Sequence, residues 1–501
     1  MALGAKLLRS SGMNLLDLSA KTLAVLVTTP ALIHGLGKDQ YGVWILVMAL
    51  VAYFLIADLG LMFSATRFLA IAVGKKDLES QASIHHVCLR YYRMAAAVVA
   101  ILAVGMLPLL PWLADNHGHK GELQIAFSIA ACSVVARLCF RLPAILLRAH
   151  VRYDLLAVAS IARTVIQAAG LLVIMSKGGG IVAIASLHAS SEALELILQR
   201  LLANRLGISS TALGHQNEKT GLRTELFRFS RLIFLGDLGN SLRLQFTPLM
   251  IPKLQGVEAL PDFSIGTRLI SILEDLVNAV FGGQVLSAFG QIHGSEDQDN
   301  LRRQFLRMVH ITASFSWAAT LGMVMVSDAF LMRWVGPELQ EAHNVLFILA
   351  GAYAFHFSQY PAYNLMHTIG KTNWIASVCV FGGVFSALLS LILGLHFGLV
   401  GIVSGIAVEM VISRGIIVSW LASRCSDLGF WDYLLRHILF SGLKASALPC
   451  LIGFLLRPML TPDYSRILLF IAAYGLCFGV SFFFFVLDRD GKQMLRRHFG
   501  F

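Results

Sequence analysis

Apolar residues run along this chain in blocks of about 20, and that is the length an α-helix needs to cross a bilayer core of roughly 30 Å. The blocks fall at 13–34, 41–62, 91–113, 123–147, 155–175, 181–202, 227–251, 263–289, 304–328, 341–366, 374–395, 399–421, 437–456 and 466–487, about fourteen in all. The sizeable polar segments are 63–90, 203–226 and 290–303, and no soluble domain can be cut from them. The pattern predicts an all-α polytopic membrane protein. The first block follows the basic stretch MALGAKLLRSSG and is too long for a signal-peptide core, so it reads as the first span.

Composition agrees with the pattern. The chain is 57% hydrophobic and 14% charged, against about 25% charged in soluble domains. A net charge of +11 raises the question of nucleic acid, but its distribution answers otherwise. One alternate set of links holds Lys6, Arg9, Arg67, Lys75, Lys76, Arg90, Arg148, Arg152, Arg200, Arg205, Lys219, Arg223, Arg302, Arg303, Lys371, Arg424, Arg436, Arg489, Lys492, Arg496 and Arg497. The other holds Lys38, Lys120, Lys177, Lys253, Arg333, Arg457 and Arg466. A bias of roughly threefold places the first set, and with it both termini, in the cytoplasm. The seven cysteines lack CxxC or CxxH spacing and mostly lie in apolar runs, which predicts buried free thiols.

One internal repeat is visible. TPALIHGLG starts at Thr29 and TPLMIPKLQG at Thr247, each at the outer end of a span, each followed by a span containing a glycine (YGVW, then FSIGTRL). Two parallel six-span halves would place the copies there, a known transporter plan. The division expected is 1–205 for spans one to six, 206–425 for spans seven to twelve, and 426–501 for two additional spans and a cytoplasmic tail.

Ionisable side chains at bilayer depth cost about 2.5–3.5 kcal/mol each and need partners or a wet cavity. Arg137 and Arg141 lie four apart on one face of the fourth span; they either reach acids on other helices or line a polar cavity that receives an anion. Arg163, with Gln167 on its face, is at the depth of Glu192 and Glu195. Further in-span charges are Asp237, Arg243, Arg268, Glu274, Asp275, Glu409 and Arg414. Asp17 and Lys21 form an i,i+4 pair, and Asp58 and Arg67 fasten the inner end of the second span. His188, His356 and His396 lack metal-ligand spacing and read as satisfied or interfacial histidines, so no metal is expected.

The segment GLGKD at 35–39 is not a P-loop, because Leu32 stands where the first glycine belongs and Asp39 follows the lysine. It is a helix corner, with Tyr41 and Trp44 entering the interfacial aromatic belt. HExxH and GxSxG are absent, so neither an enzyme nor a cofactor is expected.

The stretch LGKDQYGVWILVMALVAYFLIADLGLMFSATRFLA resembles the opening hairpin of the polysaccharide flippases of the multidrug/oligosaccharidyl-lipid/polysaccharide exporter superfamily. The match lies in Gly37, Tyr41, Gly42 and Trp44, then Asp58-Leu59-Gly60, then Arg67-Phe68, with a Gly-Lys-Lys-Asp turn at 74–77. The resemblance implies two six-helix lobes around a central cavity plus two C-terminal helices. It implies transfer of an undecaprenyl-diphosphate-linked oligosaccharide from the cytoplasmic to the periplasmic leaflet of a bacterial inner membrane. Arg137, Arg141, Arg163, Arg243 and Arg268 would then be cavity cations for the anionic substrate, and Asp237, Asp275 and Glu409 candidate coupling acids. A glycan polymerase and chain-length machinery are the expected partners. The rival readings are an ion-coupled multidrug exporter, a peptidoglycan lipid-precursor flippase and, from another class, a membrane glycan polymerase or ligase. A reporter fused after Phe501 is expected to be active in the cytoplasm; activity confined to the periplasm would overturn the orientation.

Overall fold

Backbone amides inside a bilayer find no water, so an apolar block satisfies them internally by coiling into helix. The computed structural model describes residues 2–113, 120–205, 221–281, 283–294, 297–339 and 341–486. Among the described residues every predicted block lies mainly on helix, and no strand occurs. The chain divides into two compact units, Met1–Leu260 and Pro261–Phe501. The first holds α1 (Ala2–Phe54), α2 (Leu61–Gly74), α3 (Leu78–Met106), α4 (Leu110–Leu113), α5 (Lys120–Cys139), α6 (Leu142–Ala149), α7 (Tyr153–Ser176), α8 (Ile181–Arg205) and α9 (Leu222–Gln255). With α10 (Ala259–Phe281) the chain enters the second, followed by α11 (Gly283–Gly294), α12 (Gln298–Trp334), α13 (Glu341–Ser358), α14 (Tyr360–Thr368), α15 (Thr372–Met410), α16 (Val418–Cys425), α17 (Ser441–Leu456) and α18 (Tyr464–Phe485).

Nine described stretches are long and apolar enough to cross a membrane. Two far exceed one crossing: Gly12–Gly74 has 63 residues and Thr372–Cys425 has 54. Each is broken at a glycine, Gly37 (φ 77°, ψ 168°) in α1 and Gly398 (φ 61°, ψ −140°) in α15. A side chain would penalise those backbone angles. After Gly398 the chain doubles back, so that Ser390 Oγ donates to the Ile402 carbonyl at 2.9 Å. A Cβ on Gly405 would come within 2.6 Å of Ser390 Cα. The remaining predicted spans lie on α9, α10 and α13. In α9 and α10, in-span groups such as Asp237, Arg243, Glu274 and Asp275 dilute the apolar pattern.

The two Thr-Pro copies share local structure. Thr29 and Thr247 are both buried, and each hydroxyl donates to the carbonyl four residues back, Val25 at 2.7 Å and Arg243 at 3.4 Å. Each copy ends in a glycine of nearly the same conformation, Gly37 and then Gly256 (φ 82°, ψ 163°). In the following spans, Gly42 lies against the Val257 carbonyl and Gly266 against that of Ala342, each too close for a side chain.

Within the second unit α17 and α18 are bonded to α12. Tyr474 donates to the Ala318 carbonyl at 2.8 Å, and Gly442 leaves room for the Trp317 ring. The predicted cytoplasmic tail, 487–501, lies outside the described residues. Two expectations about burial are corrected. All seven cysteines are free thiols, but Cys88 and Cys379 are the buried ones and Cys132 is exposed, because an apolar block in a membrane protein also has an outer face. Tyr41 and Trp44 are buried in the protein, and Trp44 meets the His188 ring edge-on at 6.1 Å between centroids. Replacing Gly405 with valine is expected to cost about 1–3 kcal/mol through overpacking, read as a lowered thermal midpoint of the detergent-solubilised protein. An unchanged midpoint would contradict the hairpin packing.

Candidate functional site

The charged groups of the first unit converge on α8. Glu192 and Glu195 are one turn apart there and share a face. Glu192, only 5% exposed in its side chain, lies 3.0 Å from Arg137 Nη1 and 3.6 Å from Arg163 Nη2. Arg163 Nη1 also donates to Glu195 Oε2 at 3.0 Å, and Gln199 donates to the other oxygen of Glu195 at 2.9 Å. His188 Nε2 is 3.4 Å from Glu192, and Gln167 links the His188 ring to Ser191. Arg163 thus meets both acids anticipated at its depth. Arg137, by contrast, reaches across from α5 to the same carboxylate, a pairing between non-consecutive spans that the sequence leaves open.

A second carboxylate anchors the other end of the cluster. Arg141 begins a new helical segment after the break that separates α5 from α6, and its Nε lies 3.9 Å from Asp58 Oδ1. Tyr92 donates to that oxygen at 2.7 Å, and the Met62 amide donates to Oδ2 at 3.2 Å, capping the first turn of α2. Arg148, at the end of α6, has a buried Nε without a hydrogen-bond partner. Four guanidiniums (Arg137, Arg141, Arg148 and Arg163) therefore share this region with three carboxylates (Asp58, Glu192 and Glu195) among the described residues. The pairs neutralise most of the charge and leave positive charge in surplus. Separately, Arg243 on α9 is 6% exposed, and neither its Nε nor its Nη1 has a hydrogen-bond partner. Two unit charges 4 Å apart attract by roughly 4 kcal/mol at an effective dielectric of 20. Such a site can hold an anion that water would otherwise solvate.

The other predicted site residues are dispersed. Arg67, midway along α2, stacks on the Phe229 ring at 4.5 Å from its centroid. Lys21 and Asp17 pair at 2.7 Å. In the second unit Arg268 and Asp275 are exposed while Glu409 is completely buried. The side chain of Asp237 lies outside the described residues. Arg414, an in-span charge in the sequence, sits in a π-helical turn, Val411–Ile417, a geometry common at functional sites. It donates to Tyr363 Oη at 2.9 Å and approaches Cys379 Sγ at 3.6 Å. Glu274 lies 3.7 Å from His356, and His396 is exposed. No group of three His, Cys, Asp or Glu able to hold a metal ion occurs among the described residues.

The family model for polysaccharide biosynthesis proteins matches residues 36–342, from the glycine corner to the start of α13. The chain belongs to the polysaccharide biosynthesis protein family. A Shigella flexneri protein named as a candidate O-antigen transporter is 21% identical over 426 residues, covering 84% of this chain and 99% of that protein. The fold is similar to that of the lipid II flippase MurJ in an inward closed conformation, with a TM-score of 0.72 at 12% identity, covering 98% of this chain and 99% of that one. It is also similar to an inward-facing multidrug resistance transporter of the MATE family in the MOP superfamily, with a TM-score of 0.68 at 16% identity, covering 81% and 95%. The chain is a multi-pass membrane protein whose fold and family are those of transporters and flippases rather than enzymes. Its opening hairpin, read above as a family signature, falls within the matched segment.

Removing one partner of a buried ion pair costs about 3–5 kcal/mol, because the other charge stays behind. Glu192→Ala is therefore expected to destabilise more than Arg137→Ala, which leaves Glu192 its contact with Arg163. Denaturation midpoints of both variants and the double variant give the coupling, expected at about 0.5–3 kcal/mol. Additive effects would show that the pair does not interact.

Proposed function

We propose that this chain moves an undecaprenyl-diphosphate-linked oligosaccharide from the cytoplasmic to the periplasmic leaflet of the bacterial inner membrane, for the synthesis of a cell-surface polysaccharide. The observation that carries this reading is the surplus of guanidinium groups over carboxylates around Glu192 and Asp58. A diphosphate is an anion that a hydrocarbon core rejects, and prearranged cations at depth lower the cost of bringing it in. Family membership and the named O-antigen relative support the glycan over a drug cation. A drug cation would call for a surplus of acids. The MurJ-like fold is equally compatible with a peptidoglycan lipid precursor, which shares the diphosphate.

Transport proceeds by alternating access, with residues 1–205 and 206–425 as the two repeats and both termini cytoplasmic. Asp237, Asp275 and Glu409 are the candidates for ion coupling, and Arg243 and Arg268 extend the set of substrate cations. A glycan polymerase with its chain-length machinery would take the product. Alanine at Arg137, Arg141 or Arg163 is expected to lower glycan delivery at matched membrane levels at least tenfold, about 1.4 kcal/mol of lost binding or barrier stabilisation. Lysine should restore part of it. Full delivery by all three alanine variants would sink the proposal.

A further inference from the structure

Asp58 belongs both to the arginine cluster and to the break that aims α2. The chain leaves α1 through a short 3-10 turn, Leu55–Asp58, and then places Leu59 (φ 48°) and Gly60 (φ 70°) in the left-handed region. Leucine adopts that conformation at a cost, so something must hold it. The holding contacts are the two bonds to Asp58, from Tyr92 and the Met62 amide, and the bond from Tyr91 Oη to the Ala57 carbonyl at 2.7 Å.

What the break presents is a docking face for α9. A Cβ on Gly60 would stand 2.9 Å from Ile233 Cβ and 3.0 Å from the Ser230 carbonyl. One turn on, the Ser230 hydroxyl donates to Ser64 Oγ at 2.7 Å in a buried contact. Arg67 covers the Phe229 ring, and Tyr91 meets Phe227 edge-on at 5.6 Å. Tyr91 therefore touches both the break and α9, while its neighbour Tyr92 touches Asp58. A single carboxylate thus lies between the arginine cluster and the seam where α2 receives α9.

Resting on the anion reading above, we infer that Asp58 couples occupancy of the arginine site to the docking of α9 on α2. An anion at Arg141 competes with Asp58 for the same guanidinium. The Asp58 carboxylate is then left in a poorly solvated position, the left-handed pair at 59–60 loses its tether, and the seam loosens. Linkage is reciprocal, so loosening the seam favours anion binding by the same factor. Asp58 is here a positioning residue that acts through the backbone of Leu59 and Gly60.

The test places a cysteine at each side of the seam, Ser64→Cys with Ser230→Cys, in the full chain reconstituted in vesicles. After addition of a copper–phenanthroline oxidant, mass spectrometry of the linked peptides reads the rate of disulfide formation with the native cysteines in place. Vesicles carrying undecaprenyl diphosphate are expected to slow the link about fivefold or more, and undecaprenol to leave it unchanged. Asp58→Asn, or Tyr92→Phe should the first variant fail to assemble, is expected to slow the link without lipid and to remove the response to diphosphate. Gly60→Ala, which crowds Ile233, reports the rate of an opened seam. An Asp58→Asn chain that links at the parent rate and still responds to diphosphate overturns the coupling. If the parent chain binds diphosphate saturably with no change in linking, the coupling also fails. No saturable binding by the parent overturns instead the anion reading on which it rests.

Discussion

Glu192, buried on α8 between the guanidiniums of Arg137 and Arg163, is the contact on which the first unit depends. Three helices meet at one carboxylate: α5 brings Arg137, α7 brings Arg163, and α8 supplies the acid. In water such pairs are worth little. In a bilayer an unpaired charge costs kilocalories, so the pairs determine which helices can be neighbours. The cluster does not reach neutrality, and the proposed function rests on its residual positive charge.

Glycine performs the complementary task of letting backbones turn and approach. Gly37 and Gly398 each divide a long apolar run into two crossings, and Gly256 repeats the first corner at the second Thr-Pro copy. Gly42, Gly266 and Gly405 admit a neighbouring backbone where a methyl group would collide. Packing in a membrane lacks the hydrophobic drive of water and relies on such close fits. The seam of Gly60 and Ser64 against Ser230 and Ile233 is built the same way, and there the tight fit borders a charged residue.

Much of this was legible along the chain. The spans follow from the length of apolar runs, because the bilayer imposes one scale on all of them. Arg163 could be matched to Glu192 or Glu195 because all three lie at similar distances from the inner ends of consecutive spans. Arg137 and Arg141 were left open, since their partners lie on α8 and on the break after α1, and the period of one helix says nothing about which non-consecutive helices touch it. Arg414 also reaches Tyr363 and Cys379 on other helices, contacts that the period of its own helix does not indicate. Tyr41 and Trp44 misled because the same amphipathic rings suit a lipid headgroup belt and a protein-covered corner. Cysteine burial misled in the same direction, as an apolar run shows which solvent surrounds a helix and not which face meets protein.

The central claim is that surplus guanidinium at membrane depth serves a phosphorylated lipid-linked glycan. Leaflet transfer in vesicles containing the purified chain tests it most directly, using labelled undecaprenyl-diphosphate glycans of different repeat structure beside a lipophilic drug cation. The account predicts chain-dependent transfer of a diphosphate-linked glycan and none of the cation. Transfer of the cation alone, with every glycan left in its starting leaflet, would contradict it.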